Sequence, residues 1–122
     1  MYAPPPKMNL VVIRSKDFNK TKNFYFMLGL LFVKEKHEGG PEHYACSVDG
    51  FVFEIYPLKE GDVPTTNIRL GFEIDTVDGY IHEIEGFGGV VVTPPYDSSA
   101  GRKAVVKDPD GHTIELLCKH GT

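Results

Sequence analysis

An α+β fold made of two tandem β-α-β-β-β modules, with curved mixed sheets and helices on their outer face, is predicted by three observations. The order strand, helix, three strands reads twice along the 122 residues. The closing hairpins of the two halves also share residues. Asp49-Gly50-Phe51-Val52-Phe53-Glu54-Ile55 aligns with Asp110-Gly111-His112-Thr113-Ile114-Glu115-Leu116 at an offset of 61, with Asp-Gly, the glutamate and the next aliphatic in register. The composition, 41% hydrophobic and 25% charged, is that of a globular chain of one-domain length.

Pro4, Pro5 and Pro6 predict an extended, flexible tail over residues 1–7, followed by a single domain over 8–120 whose modules span about 8–58 and 66–118. Asn9 to Arg14 is short, apolar and β-branched, the pattern of a buried strand. Ser15 and Asp17 offer helix caps, Thr21, Phe24, Tyr25 and Leu28 follow helical spacing, and Gly29 supplies a stop. Strands are expected over Leu30 to His37 and His43 to Val48, and Asp49-Gly50 turns the chain into Phe51 to Tyr56. After a polar connector, Asn67 to Ile74 begins the second module. A helix with the stripe Val77, Tyr80, Ile81 and Ile84 ends at Gly86, Gly88 and Gly89. Val90 to Thr93 is a strand, Pro94 to Gly101 a loop, and Lys103 to Val106 and Thr113 to Leu117 are strands around the Asp108-Pro109-Asp110-Gly111 turn.

Thirteen basic against 17 acidic side chains leave a net charge of −4, which argues against nucleic acid or an anionic membrane as partner. No apolar run approaches the roughly 20 residues of a membrane helix, and the first residues lack a signal-peptide core, so a cytoplasmic location is expected. Cys46 and Cys118 have no metal-ligand or redox spacing and read as small, reduced, buried residues.

Side chains alternate along a strand, so parity assigns faces. Leu70, Phe72, Ile74, Phe53, Ile55, Ile114 and Leu116 should pack on the helices. Arg69, Gly71, Glu73, Val52, Glu54, Tyr56, Thr113, Glu115 and Leu117 then occupy the opposite faces, so each module presents one glutamate from the same position.

The doubled module, Phe24-Tyr25 followed by Leu28-Gly29-Leu30, and the run from Asp108 to Leu116 resemble the vicinal oxygen chelate superfamily over residues 8–119. That group includes glyoxalase I, bleomycin-resistance proteins, extradiol dioxygenases and fosfomycin-resistance enzymes. The resemblance implies a divalent metal held by a first-strand His or Gln and a last-strand Glu from each module. Glu54 and Glu115 match the carboxylate positions, whereas Leu10 and Arg69 stand at the other two. Leucine has no donor atom and a guanidinium repels a cation, so no family metal, and no other cofactor, is expected. Two carboxylates alone make a poor transition-metal site. His37, His43, His82 and His120 read as surface residues, and His112 as part of a turn.

Arg69 is expected as a fixed positive charge in place of the ion, and Arg102 as a second anion contact. Three functions follow. The leading one is a metal-free binder of a small polar or aromatic molecule, like the bleomycin-resistance proteins, in a cavity between modules with Leu10, Val12, Glu54, Tyr56, Arg69, Glu73, Arg102, Thr113 and Glu115 as contacts. A homodimer is implied by the resemblance. The alternative is a glyoxalase-like lyase or isomerase with Glu115 as catalytic base, which would bring back a divalent metal or use Arg69 as oxyanion stabiliser. The third is a non-catalytic dimeric interaction module. An extradiol dioxygenase needs two His and one carboxylate around Fe(II), which this sequence does not supply.

Overall fold

The computed structural model describes residues 3–120; residues 1 and 2 of the predicted tail lie outside the described residues. Residues 3–9 form no helix or strand and are exposed. The first module contains β1 (Leu10–Ser15), α1 (Phe18–Met27), β2 (Val33–Lys36), β3 (Glu42–Val48) and β4 (Phe51–Pro57). The second contains β5 (Arg69–Glu73), α2 (Val77–Ile81), a 3-10 turn (Glu85–Phe87), β6 (Val90–Ser98), β7 (Gly101–Lys107) and β8 (Thr113–Cys118). The sheets have the same topology, β1-β4-β3-β2 and β5-β8-β7-β6, with one parallel pair and two antiparallel pairs each. The predicted pair of mixed-sheet modules is therefore present.

Local chemistry explains the elements. Asp17 caps α1 by accepting from the Lys20 amide at 3.2 Å, and Gly29, at φ 107°, takes the left-handed conformation that ends it. Asp49 and Gly50 both have positive φ, 51° and 81°, as a two-residue turn matching strand twist demands. Both faces predicted to pack do so. Phe53, Ile55, Ile114 and Leu116 are buried with Ile13, Phe24, Tyr25 and Ile84 in one core drawn from both modules. Each such side chain contributes about 1.5–3 kcal/mol of hydrophobic stabilisation. The Tyr25 ring joins the halves, lying 5.0 Å from Phe53 and 5.9 Å from Phe72 between centroids.

Three boundaries differ from expectation by more than two residues. Leu30 to Phe32 lie outside β2, because the Leu30 amide bonds back to Tyr25 O at the helix end while Leu30 and Phe32 pack on the core. The second helix stops at Ile81 and tightens into 3-10-type bonds, Glu83 N to Tyr80 O and Gly88 N to Glu85 O. The expected loop at Pro94-Pro95 is instead the middle of β6. This is an edge strand with two register shifts, where a residue without an N–H loses no ladder bond.

The predicted Asp108 turn clasps the modules together. Asp108 is buried and its Oδ1 accepts from the amides of Asp110, Gly111 and His112 at 2.9–3.0 Å. Its Oδ2 accepts from Tyr25 Oη at 2.6 Å and from His112 Nδ1 at 2.8 Å. The other His112 nitrogen lies 2.6 Å from Thr65 Oγ1, so this histidine is a structural part of the turn, as expected. Burial, followed by the Asp108 charge, pushes the Tyr25 hydroxyl pKa well up and keeps it a donor.

Candidate functional site

The helix-free faces of the two sheets carry the candidate residues except Arg102, which pairs in register with the buried Cys118 and so lies on the helix side of its sheet. In the first sheet the parallel register pairs Leu10 with Val52, Val12 with Glu54 and Arg14 with Tyr56. In the second it pairs Arg69 with Thr113, Gly71 with Glu115 and Glu73 with Leu117. Leu10 and Arg69 thus occupy equivalent ladder positions, as do Val12 and Gly71.

Glu115 is the most constrained carboxylate. It accepts from Arg69 Nε at 2.9 Å and faces Lys103 Nζ at 3.0 Å. Lys103 first, then Arg69, holds its carboxyl below the usual carboxylate range. Lys103 is pushed up in return. The ion implied by the family resemblance does not fit this arrangement. Leu10 offers no donor, and a guanidinium and an ammonium already hold Glu115 where two ligands would have to converge. Arg69 itself is exposed, with 56% of its side chain accessible, and its carboxylate partner among the described residues is Glu115, not Glu54.

The other second-sheet candidates are dispersed. Glu73 is exposed, faces Lys119 Nζ at 3.4 Å, and helps line a groove between the modules with Leu28, Leu30, Val48, Phe72 and Tyr80. Arg102 spends its fork on Asp78, at 3.0 and 3.1 Å, and reaches Asp97 at 3.2 Å. The Arg102 hydrogen bond lowers the Asp78 carboxyl in turn. A ligand anion at Arg102 would have to displace these carboxylates.

The first-sheet candidates are gathered together. Glu54 sits beside Val12 and Ala45 in register, at an open groove of about 450 Å³ lined also by Leu31, Val33, Glu35, Ser47 and Val52. Leu10 and Val33 are exposed at this face. Tyr56 is flanked from both neighbouring strands: His43 stacks on its ring at 4.2 Å with planes 6° apart, and the Arg14 guanidinium lies 5.0 Å from the ring centroid. Burial, then the Glu54 charge, raises the Tyr56 hydroxyl pKa.

The surface reading of His43 is corrected by this geometry. It is 1% exposed, because Tyr56 covers its ring and the strand pairing places it inside the sheet face. Its Nε2 lies 3.4 Å from Glu35 and 3.6 Å from Glu54, while His37, which is exposed as expected, reaches Glu35 at 3.4 Å. Parity was the available signal. Across the Asp49-Gly50 hairpin Ala45 opposes Glu54, so His43, two residues from Ala45, must share the Glu54 face.

Paired βαβββ modules with helix-free faces carrying matched glutamates define a class of protein, and the comparisons agree. Residues 7–116 match the Glyoxalase/Bleomycin resistance protein/Dioxygenase superfamily, and the chain belongs to it. An uncharacterized protein of Mycolicibacterium smegmatis is 29% identical over 109 residues, covering 88% of this chain and 90% of the relative. Among solved structures, a hypothetical protein from S. aureus has a TM-score of 0.76 at 20% identity, with 95% of each chain covered. TnmS3, an antibiotic binding protein from a Streptomyces species, has a TM-score of 0.70 at 22% identity, with 96% of this chain and 98% of that one covered.

Proposed function

We propose that the protein binds a small aromatic molecule bearing a polar or cationic group, and does so without a metal at the family position. The observation that carries this reading is the groove at Glu54. Its apolar floor of Val33, Ala45 and Val52 suits a planar ligand, and the Glu35 and Glu54 carboxylates suit a cationic substituent. Leu10 and Val12 extend the apolar surface, and Tyr56 offers its edge and hydroxyl. Arg69, Thr113, Glu115 and, more remotely, Glu73 belong to the second-sheet face, which closes the site in a homodimer, whereas Arg102 lies on the helix side of that sheet. The antibiotic-binding neighbour supports a binding role on this fold. Among the described residues no helix is long and apolar enough to cross a membrane, which is compatible with the proposed cytoplasmic location.

Glu115 fits general-base catalysis poorly. A carboxylate held by Arg69 and Lys103 with a lowered pKa is a weak proton acceptor near neutrality. The lyase reading therefore has less support than binding.

A thermal-shift screen of planar aromatic cations, run with excess chelator, tests the proposal. A bound ligand raises the melting temperature by mass action, and Glu54→Gln is expected to remove the rise. A panel that gives no shift, or a shift that Glu54→Gln leaves intact, contradicts it.

A further inference from the structure

Apart from the ligand reading, the first module brings three potential metal donors together on β2, β3 and the turn after β2. We infer that Glu35, His37 and His43 form a site for one borderline divalent cation, with Zn²⁺ the ion whose chemistry they fit and the fourth position of a tetrahedral centre left open. The β2–β3 ladder sets Glu35 opposite His43, and Glu54 enters the same face from β4.

The orientation of His43 is the telling feature. Its Nδ1 lies 3.2 Å from the Pro41 carbonyl, which can only accept, so Nδ1 carries the hydrogen and the neutral ring turns its lone pair outward at Nε2. That Nε2 is buried, has no hydrogen-bond partner among the described residues, and faces two carboxylates. A buried lone pair against two anions is unfavourable unless a positive charge lies between them.

Distance decides between a proton and a metal. A charge-assisted N–H···O bond runs about 2.7–2.9 Å. The contacts here are 3.4 Å from His43 to Glu35, 3.6 Å from His43 to Glu54 and 3.4 Å from His37 to Glu35. Tetrahedral Zn²⁺ with bonds of about 2.0–2.1 Å separates its ligand atoms by about 3.3 Å. The observed spacings match that edge and are too long for the hydrogen bonds. The Nδ1–H bond to a backbone carbonyl is also the arrangement that fixes the tautomer of a metal-ligating histidine. Two imidazoles and one carboxylate favour Zn²⁺, Co²⁺ or Ni²⁺ over Mg²⁺ or Ca²⁺. His37, with 70% of its side chain accessible, leaves the ion an entry path.

This site lies within one module and uses none of the family ligand positions. Because Glu35 also lines the groove proposed for the organic ligand, a bound metal would compete with a cationic ligand. The metal test is therefore made without organic ligand, and the ligand screen with chelator, so that either can fail alone.

Calorimetric titration of the chelator-stripped full chain with Zn²⁺ should show one ion per chain. Glu35→Gln and His37→Gln, both at accessible positions, should each weaken it about tenfold or more, while Glu115→Gln leaves the affinity unchanged. Co²⁺ substitution should give the visible absorption of a tetrahedral centre, lost in the same two variants. No saturable Zn²⁺ binding, wild-type affinity in both variants, or loss of affinity in Glu115→Gln instead would overturn the assignment.

Discussion

Arg69 and Glu115 show how one substitution redirects a site. The register confirms that Arg69 stands at the ladder position equivalent to Leu10, and its guanidinium rests on the carboxylate of the neighbouring strand. Because more than half of Arg69 is exposed and Lys103 also holds Glu115, Arg69→Ala should cost less than about 1 kcal/mol in urea denaturation at neutral pH. A larger loss would mean that Arg69 supports the fold rather than the face. Glu115 has a lowered folded pKa, so its stabilisation is present above the ordinary carboxylate value and is lost as pH falls through the folded value. The Arg69→Ala deficit should accordingly shrink in acid; a deficit that grows there would contradict the pairing. Parity in the sequence was enough to put Glu54, Tyr56, Arg69 and Glu115 on helix-free faces. It did not reveal that Glu115 is doubly neutralised, because Lys103 reaches it from a different strand, nor that Arg102 is taken up by Asp78, 24 residues away.

At the scale of elements, hairpins and caps were legible because their chemistry is local. Asp49-Gly50 needs two positive φ angles, Asp17 caps its own helix, and the aliphatic alternation of β4 and β8 survives in the buried core. Elements whose limits depend on partners were not. Pro94 and Pro95 read as a loop, and only the edge position of β6 makes them tolerable in a strand. The Asp108 turn has both characters: its Asp-Pro-Asp-Gly sequence announces the turn, but the Tyr25 and Thr65 contacts that make it a clasp come from far along the chain. Asp108→Ala leaves buried donors from Tyr25, His112 and three amides without their acceptor, and about 3–5 kcal/mol of stability should be lost. Tyr25→Phe removes one bond to a charged acceptor and should cost about 1.5–3 kcal/mol. Equilibrium urea unfolding checks both, and an Asp108→Ala protein as stable as wild type would remove the clasp from the account.

For the whole molecule, the shared core leaves the helix-free faces with exposed Leu10, Leu31 and Val33, together with the charged groups of the site. Closing these faces against a second copy is the basis for the proposed homodimer, which light scattering at micromolar concentration should detect; a monomer throughout would remove the second-sheet residues from the binding site. The central claim is that the Glu54 face, rather than a metal shared with Glu115, recognises the ligand. It is tested most directly by calorimetric titration, with chelator present, of an aromatic cation from the thermal-shift screen into wild-type, Glu54→Gln and Glu115→Gln proteins. The account predicts saturable wild-type binding without metal, about tenfold or greater weakening in Glu54→Gln, and a smaller effect in Glu115→Gln. Binding that appears only after metal is restored, or that depends on Glu115 and not on Glu54, would contradict it.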